Sequence, residues 1–262
     1  MKQHRFTNRR EAGRLLSEKL EGFRDNPGAV VLALPRGGVP VGFEIARELN
    51  LPLDIQVVRK LGVPGQKELA FGAIGPGGVA VYNERLLDRL GISREDVRQV
   101  RDLESEELAR RETAYRRGRS APDLKDRTVI LVDDGLATGA TMRAAVESVR
   151  KQSPAGIIVS VPVAAPDVCS AFDLEPDVNC ICVVMPEPLY GVVWWYEEFE
   201  QITDDRVREL LDEARPRSRN NARTCPAVAR PNRAPSTAVR RASSRSARRT
   251  ANVAIRNAGR WR

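Results

Sequence analysis

Residues 128–141 read TVILVDDGLATGAT. The apolar run from Val129 to Val132 ends in two adjacent acids, Asp133 and Asp134. Gly135 follows, then a loop of small and hydroxylated residues: Ala137, Thr138, Gly139, Ala140 and Thr141. A helical pattern occupies residues 142–151. The order predicts a buried strand, a turn and a helix N-terminus. Little side-chain bulk stands in the loop, and its backbone N–H groups lie at the positive end of a helix. That combination suits a phosphate. The two acids can accept hydrogen bonds from neighbouring hydroxyls, and a phosphate beside a vicinal diol is a ribose 5-phosphate.

Working outward, residues 8–24 carry Ala12, Leu15, Leu16, Leu20 and Phe23 at helical spacing, with Asn8 placed to cap. Residues 29–34 are a short apolar strand ending in Pro35-Arg36-Gly37-Gly38, after which residues 39–50 read as a helix. Residues 53–58 are a second strand, followed by Arg59 and Lys60. The Gly- and Pro-rich residues 62–78, with apolar pieces at 69–74 and 79–82, read as a β-hairpin or mobile loop. Residues 83–117 are helical, highly charged and sparsely apolar, as expected of a solvated surface helix. Its end is rich in arginine (Arg110, Arg111, Arg116, Arg117, Arg119), which also suits an arm beside a polyanion. Strands at 156–162 and 177–185, an aromatic segment at 190–199 and a helix at 203–214 complete the pattern. Strands that are nearly all apolar and alternate with helices predict an α/β fold with a mostly parallel twisted sheet covered on both faces. Ligands of such sheets sit beyond the carboxyl ends of the strands. Both residues 35–38 and residues 133–141 stand there, so they are expected to face one site.

Charge is unevenly spread over the 262 residues. The 14 arginines from Arg215 onward, with no Lys, Asp or Glu among them, leave residues 1–214 with 29 basic and 35 acidic side chains. Two domains are expected: a folded one over 1–214 and an Arg-rich disordered tail over 215–262. The tail reads either as a polyanion-binding arm or as a non-selected extension. No run of about 18 apolar residues predicts a membrane span. Residues 1–13 lack the apolar core of a secretory signal. Cys180 and Cys182 share one face of a strand and are read as buried free thiols. No metal site is expected there, because CxC is a weak signal and the single histidine, His4, lies far away in sequence. A reducing cytoplasm fits that cysteine usage.

VILVDDGLATGAT resembles the PRPP-binding signature of type I phosphoribosyltransferases, PRPP being 5-phosphoribosyl-1-diphosphate. Residues 5–213 further resemble the stand-alone bacterial phosphoribosyltransferase-like branch. The shared pieces are LALPRGGVPVGFEIA, VVRKLGVPGQKELAFGAI, ELARRETAYRRGR and YGVVWWYEEFEQITDDRVRELL. Residues 214–262 fall outside the resemblance. It implies the type I fold with a small hood or lid. It also implies that Ala137, Thr138, Gly139, Ala140 and Thr141 hold the 5-phosphate and that Asp133 and Asp134 hold the ribose hydroxyls. Arg36, Gly37 and Gly38 would form the pyrophosphate loop, where a non-proline cis peptide is common, and Lys60 would meet the pyrophosphate as a point charge. Arg36 and Lys60 are thereby the catalytic candidates. Mg²⁺ is the implied cofactor, held mostly by the ligand and waters and only indirectly by Asp133 and Asp134. A homodimer is implied by resemblance alone.

The chemistry so implied is displacement of pyrophosphate at ribose C1 by a nitrogen nucleophile of a small acceptor, through an oxocarbenium-like transition state. The protein must neutralise the leaving group and exclude water. The lid candidates are residues 62–78 and the Arg-rich end of residues 83–119. Tyr190 and Trp195 are the candidates for stacking on a planar base, with Trp194 and Tyr196 beside them. The competing expectation is that these rings pack the last strand against the last helix. In 6-oxopurine enzymes an aspartate precedes the Thr-Gly of the loop; Ala137 stands here, which weighs against a 6-oxopurine acceptor. A second reading stays open: a non-catalytic PRPP-sensing regulator whose Arg-rich tail binds nucleic acid.

Overall fold

The computed structural model describes residues 5–215. In chain order it contains α1 (Arg9–Lys19), β1 (Ala29–Ala33), α2 (Gly38–Leu49), β2 (Leu53–Ile55), β3 (Arg59–Val63), β4 (Gln66–Gly75), β5 (Val79–Tyr82), α3 (Glu84–Leu90) and α4 (Arg94–Arg116). It continues with β6 (Thr128–Val132), α5 (Ala140–Arg150), β7 (Gly156–Val163), α6 (Pro166–Asp173), β8 (Val178–Val184) and α7 (Asp204–Glu213). The expected Arg-rich tail lies outside the described residues, apart from Arg215.

Five strands form a parallel sheet in the order β2-β1-β6-β7-β8. The chain goes from β1 to one neighbour, β2, and later builds β6, β7 and β8 on the other side. The order therefore reverses between β1 and β6, the place where such sheets open a crevice. Alternation along the strands supplies both faces. Val30, Leu32, Val129, Leu131 and Val159 pack with Met142, Val146 and Val149 of α5. Val31, Ile130, Val132 and Ile158 pack with Leu16 of α1, Leu20 just after it, and Val41, Ile45 and Leu49 of α2. Gly13 lets α1 approach α2 closely, since a Cβ there would stand 2.8 Å from the Val41 carbonyl oxygen and from the Glu44 Cβ.

Strands β3, β4 and β5 make a separate antiparallel sheet. Leu61, Phe71 and Ile74 from it share a core with Leu108 and Tyr115 of α4 and Val207, Leu210 and Leu211 of α7. The Gly/Pro-rich stretch is thus the hairpin expected of it, extended by a third strand. The expected strand over residues 53–58 is shorter. It ends at Ile55, whose carbonyl accepts from Arg116 Nη2 at 3.0 Å, and Arg59 and Lys60 belong to β3. The expected helix over 83–117 is two helices. Gly91 ends α3 at φ 62°, and the Ser93 hydroxyl caps α4 by accepting from the Asp96 N–H at 3.1 Å. Only Leu108 and Tyr115 of α4 are buried, as a surface helix requires.

The arginines at the end of α4 are committed within the chain. Arg110 and Arg111 pair with Glu107, Arg116 with Glu112 and Asp54, and Arg117 and Arg119 with Asp212. Arg116 ties the end of α4 to β2, and Arg117 and Arg119, just beyond it, to α7. One cysteine expectation is corrected: Cys180 is not a free thiol but forms a disulfide with Cys169. Helix α6 packs beside β8 and brings the two Cα atoms to 5.6 Å, within the reach of a disulfide. Cys182 is free.

Candidate functional site

The turns after β1 and β6 leave the sheet side by side at its switch point. The Leu34 N–H donates to the Val132 carbonyl at 2.8 Å, which keeps the two strand ends paired. The turn after β1 contains a cis peptide between Pro35 and Arg36. Gly37 and Gly38 follow, and their missing side chains are what let the acid pair approach. A Cβ on Gly37 would overlap the Asp134 carboxylate. One on Gly38 would stand 2.6 Å from the Val132 carbonyl oxygen and 2.8 Å from the Asp133 Cα. Residues 37–38 and 133–134, far apart in sequence, are therefore in direct packing contact.

Asp134 is gripped from both ends of the folded chain. Arg9, in the first turn of α1, sets Nε at 2.9 Å and Nη2 at 2.8 Å from Asp134 Oδ2. Its third nitrogen, Nη1, donates to the Glu200 carbonyl at 2.8 Å, and the guanidinium lies 3.7 Å from the centre of the Phe199 ring. Tyr196 donates its hydroxyl to the Asp134 carbonyl at 2.6 Å. The ring of Tyr196 is buried, and burial pushes its phenol upward in pKa, with the Asp134 charge adding to it. Gly135 lies under Val192, whose methyls would be 2.5 Å from an added Cβ. The aromatic segment after β8 thus closes over the acids.

Asp133 accepts from the Asp134 N–H at 2.8 Å through Oδ1. Burial, then the charge of Asp134, raise its carboxyl well above the usual range. The Asp134 N–H, Arg9 and Lys60 pull the other way. Burial also raises Asp134, with Arg9 opposing. Lys60 is thereby close enough for its charge to be felt at Asp133, although its side chain is exposed on β3. Arg36 is partly exposed, with Nη1 4.0 Å from Asp204 Oδ1. Asp204 also accepts from the Tyr115 hydroxyl at 2.6 Å, and burial pushes that phenol up to about 12.

The small-residue loop is pinned at both ends. The Leu136 N–H donates to the Val163 carbonyl, and the Leu136 carbonyl accepts from Ala165. Gly139 then turns at φ 74°, where a Cβ would also meet Val168 at 2.7 Å, so glycine is required twice over. Helix α5 begins at Ala140 without a side-chain cap, so its first N–H groups are not taken by a side chain. Ala137 and Thr138 are exposed, and Ala140 and Thr141 are half-buried.

Of the two stacking candidates, Trp195 is 9 % exposed and packs with Phe6, Ala12, Val163 and Tyr196. Tyr190 is 87 % exposed and Trp194 69 %. Both line an open cleft of about 420 Å³ with Arg5, Pro186, Glu187, Pro188 and an edge of Trp195. The free aromatic faces therefore belong to Tyr190 and Trp194. Arg9 was not found by sequence reasoning. A signal existed: an arginine in the first turn of a helix opposes the helix dipole and calls for an anionic partner.

Removing one member of a buried ion pair leaves the other unpaired, at a cost of about 3–5 kcal/mol. Arg9→Met is accordingly expected to lose stability on that scale in urea denaturation. Combining it with Asp134→Asn should restore part of the loss, because the orphaned carboxylate is gone. Strict additivity of the two substitutions would contradict the clamp. A second expectation concerns pH. The folded-state pKa of Asp133 lies above its unfolded value, so the unfolded chain ionises first as pH rises. Stability is then lost with rising pH from about 4 toward the folded pKa. Asp133→Asn removes this penalty. It should melt above the parent at a pH of about 7.5, with the gap closing as pH falls toward about 4. A variant that melts at or below the parent at the higher pH would count against it.

Residues 64–194 match the family model described as the phosphoribosyl transferase domain, a span that includes the acid pair and the loop after it. Two provisionally named phosphoribosyl transferases of Mycobacterium tuberculosis strains are each 41 % identical over 209 residues. That alignment takes in 80 % of this chain and 47 % of theirs, so the chain spans about half the length of these curated relatives. The crystal structure of TT1426 from Thermus thermophilus superposes with a TM-score of 0.68 at 38 % identity, covering 80 % of this chain and 98 % of that one. By family model, by sequence and by fold, the chain belongs to the phosphoribosyl transferase family.

Proposed function

We propose that the protein transfers the 5-phosphoribosyl group of PRPP to a nitrogenous, nucleobase-like acceptor and releases pyrophosphate. The observation that carries this is the packing of Gly37 and Gly38 against Asp133 and Asp134 beside the uncapped start of α5. A phosphate cradle, a diol-binding acid pair and a second glycine turn then share one crevice, and PRPP is a molecule that presents all three groups.

The N–H groups of residues 137–141, with the hydroxyls of Thr138 and Thr141, bind the 5-phosphate at the positive end of α5. Asp133 and Asp134 accept from the ribose 2- and 3-hydroxyls. The N–H groups of Arg36 and Gly37 serve the pyrophosphate, that of Gly38 being held by the Leu34 carbonyl at 3.1 Å, and the Arg36 and Lys60 cations neutralise it as it leaves. That charge neutralisation, supplied only as the C1–O bond lengthens, is the protein's main catalytic contribution. The donor set fits Mg²⁺. Two carboxylates stand in the crevice, and no cluster of three or more His, Cys, Asp or Glu side chains occurs among the described residues. Such a site leaves most of the ion's coordination to substrate oxygens and water, with Asp133 and Asp134 contributing indirectly. When bound, Mg²⁺ would supply further neutralisation of the diphosphate.

The exposed rings of Tyr190 and Trp194, next to the segment that covers Gly135, offer stacking faces for a planar acceptor. Ala137, in the position where a 6-oxopurine site has an aspartate, favours an adenine- or orotate-like acceptor. No helix among the described residues is long and apolar enough to cross a membrane. A phosphorylated sugar substrate favours a cytoplasmic reaction.

The test is pyrophosphate release from PRPP and Mg²⁺ with adenine, hypoxanthine, guanine, uracil and orotate in turn. Release is expected with at least one base, with hypoxanthine and guanine the poorer acceptors. Asp133→Asn with Asp134→Asn should slow it by roughly two orders of magnitude. Tight PRPP binding without release for any base would replace the enzyme reading with a PRPP-responsive regulator.

A further inference from the structure

A second cleft, of about 360 Å³, opens between the end of β2, the C-terminal ends of α4 and α5, and the turn after β4. None of the residues of the two switch-point loops lines it. Its walls are largely apolar, with Leu32, Ile55, Val79 and Leu124 among them. A volume of this size with a few polar groups is that of a small-molecule site.

Most of its polar groups are already used. Arg116 is taken up by Asp54, Glu112 and the Ile55 carbonyl. The Ser148 hydroxyl donates to the Pro76 carbonyl at 3.0 Å. Gln56 is different. It lines the cleft, is only 2 % exposed, and its Nε2 has no hydrogen-bond partner. A buried amide N–H without an acceptor is a standing cost that a ligand can relieve. At the rim stands Lys151, exposed, with no acid paired to it among the described residues. The spare capacity of the cleft is thus a buried amide donor, with a cation donor and the exposed Gln152 amide at the rim, and its occupant must present an acceptor to Gln56.

From this we infer that the cleft binds a small organic carboxylate with an aromatic or other apolar body. An oxygen of the ligand accepts from Gln56 Nε2, its charge faces Lys151, and its body lies against Leu32, Ile55, Val79 and Leu124. A monoanion fits better than a phosphate dianion. One unpaired cation faces the cleft, Glu112 also lines it, and the carbonyl end of α5 brings partial negative charge to the same rim. Nothing in the phosphoribosyl reading is needed for this site.

The test is ¹⁵N–¹H NMR of the full chain titrated with benzoate, hippurate and the uncharged benzamide. The two carboxylates should move the Gln56 side-chain amide resonances saturably and bind more tightly than benzamide. Gln56→Leu should weaken both roughly tenfold. Lys151→Met should weaken them roughly threefold and abolish the preference over benzamide. Asp133→Asn with Asp134→Asn should leave these affinities unchanged, which separates this site from the PRPP crevice. Gln56 resonances unmoved by every probe would overturn the inference, as would wild-type affinity in Gln56→Leu. The first readout is made on the unmodified protein, so it decides the matter even where a variant fails to fold.

Discussion

Two carboxylates at the end of one strand, held against a side-chain-free turn at the end of the next, set the terms for the rest of the structure. Asp133 and Asp134 are adjacent like charges in a partly buried place, and both carboxyls are raised in pKa by that burial. Such an arrangement costs stability unless something offsets it. Arg9 offsets part from within the chain, by a two-nitrogen grip on Asp134. The remainder is the standing reason for reading the pair as a ligand site and not as a strand-end turn.

The fold positions that pair through topology. Reversal of strand order between β1 and β6 brings the 35–38 turn and the 133–141 loop together, and the Leu34–Val132 hydrogen bond holds them in register. Asp134 is then met by α1 near one end of the described chain and by Tyr196 near the other, where Phe199 and Glu200 hold Arg9 in place. Folding of both ends is thus coupled to the geometry of the acids. The antiparallel β3–β5 sheet adds Lys60 from a third direction, near enough for its charge to reach Asp133.

How legible all this was in the sequence depends on the range of the interaction. The strand, acid pair and small-residue loop at 128–141 are local, and the apolar run, the glycines and the helix pattern spell them out in order. The parallel sheet follows from strands that are apolar throughout. The break at Gly91 was also locally signalled, by a glycine followed two residues later by a capping serine, but the run of charged residues on either side masked it. Long-range pairings left almost no trace. Arg9 and Asp134 are 125 positions apart, and nothing in the neighbourhood of either names the other. For the arginines at and just after the end of α4, sequence shows charge and not its partner; Glu107, Glu112, Asp54 and Asp212 pair with them. The Cys169–Cys180 bond likewise depends on how α6 lies on β8, which spacing in sequence does not state.

The aromatic segment shows the same division. Its rings form a cluster in sequence, yet the fold buries Trp195 and Tyr196 and leaves Tyr190 and Trp194 facing out. The central claim is that the two switch-point loops form a single PRPP site, and Gly37 tests it most directly, because a methyl there intrudes on the Asp134 carboxylate. Calorimetric titration of PRPP with Mg²⁺ into the parent and into folded Gly37→Ala is the deciding measurement. Binding by the parent and its loss in the variant is the expected result; equal affinity in the two proteins would contradict the claim.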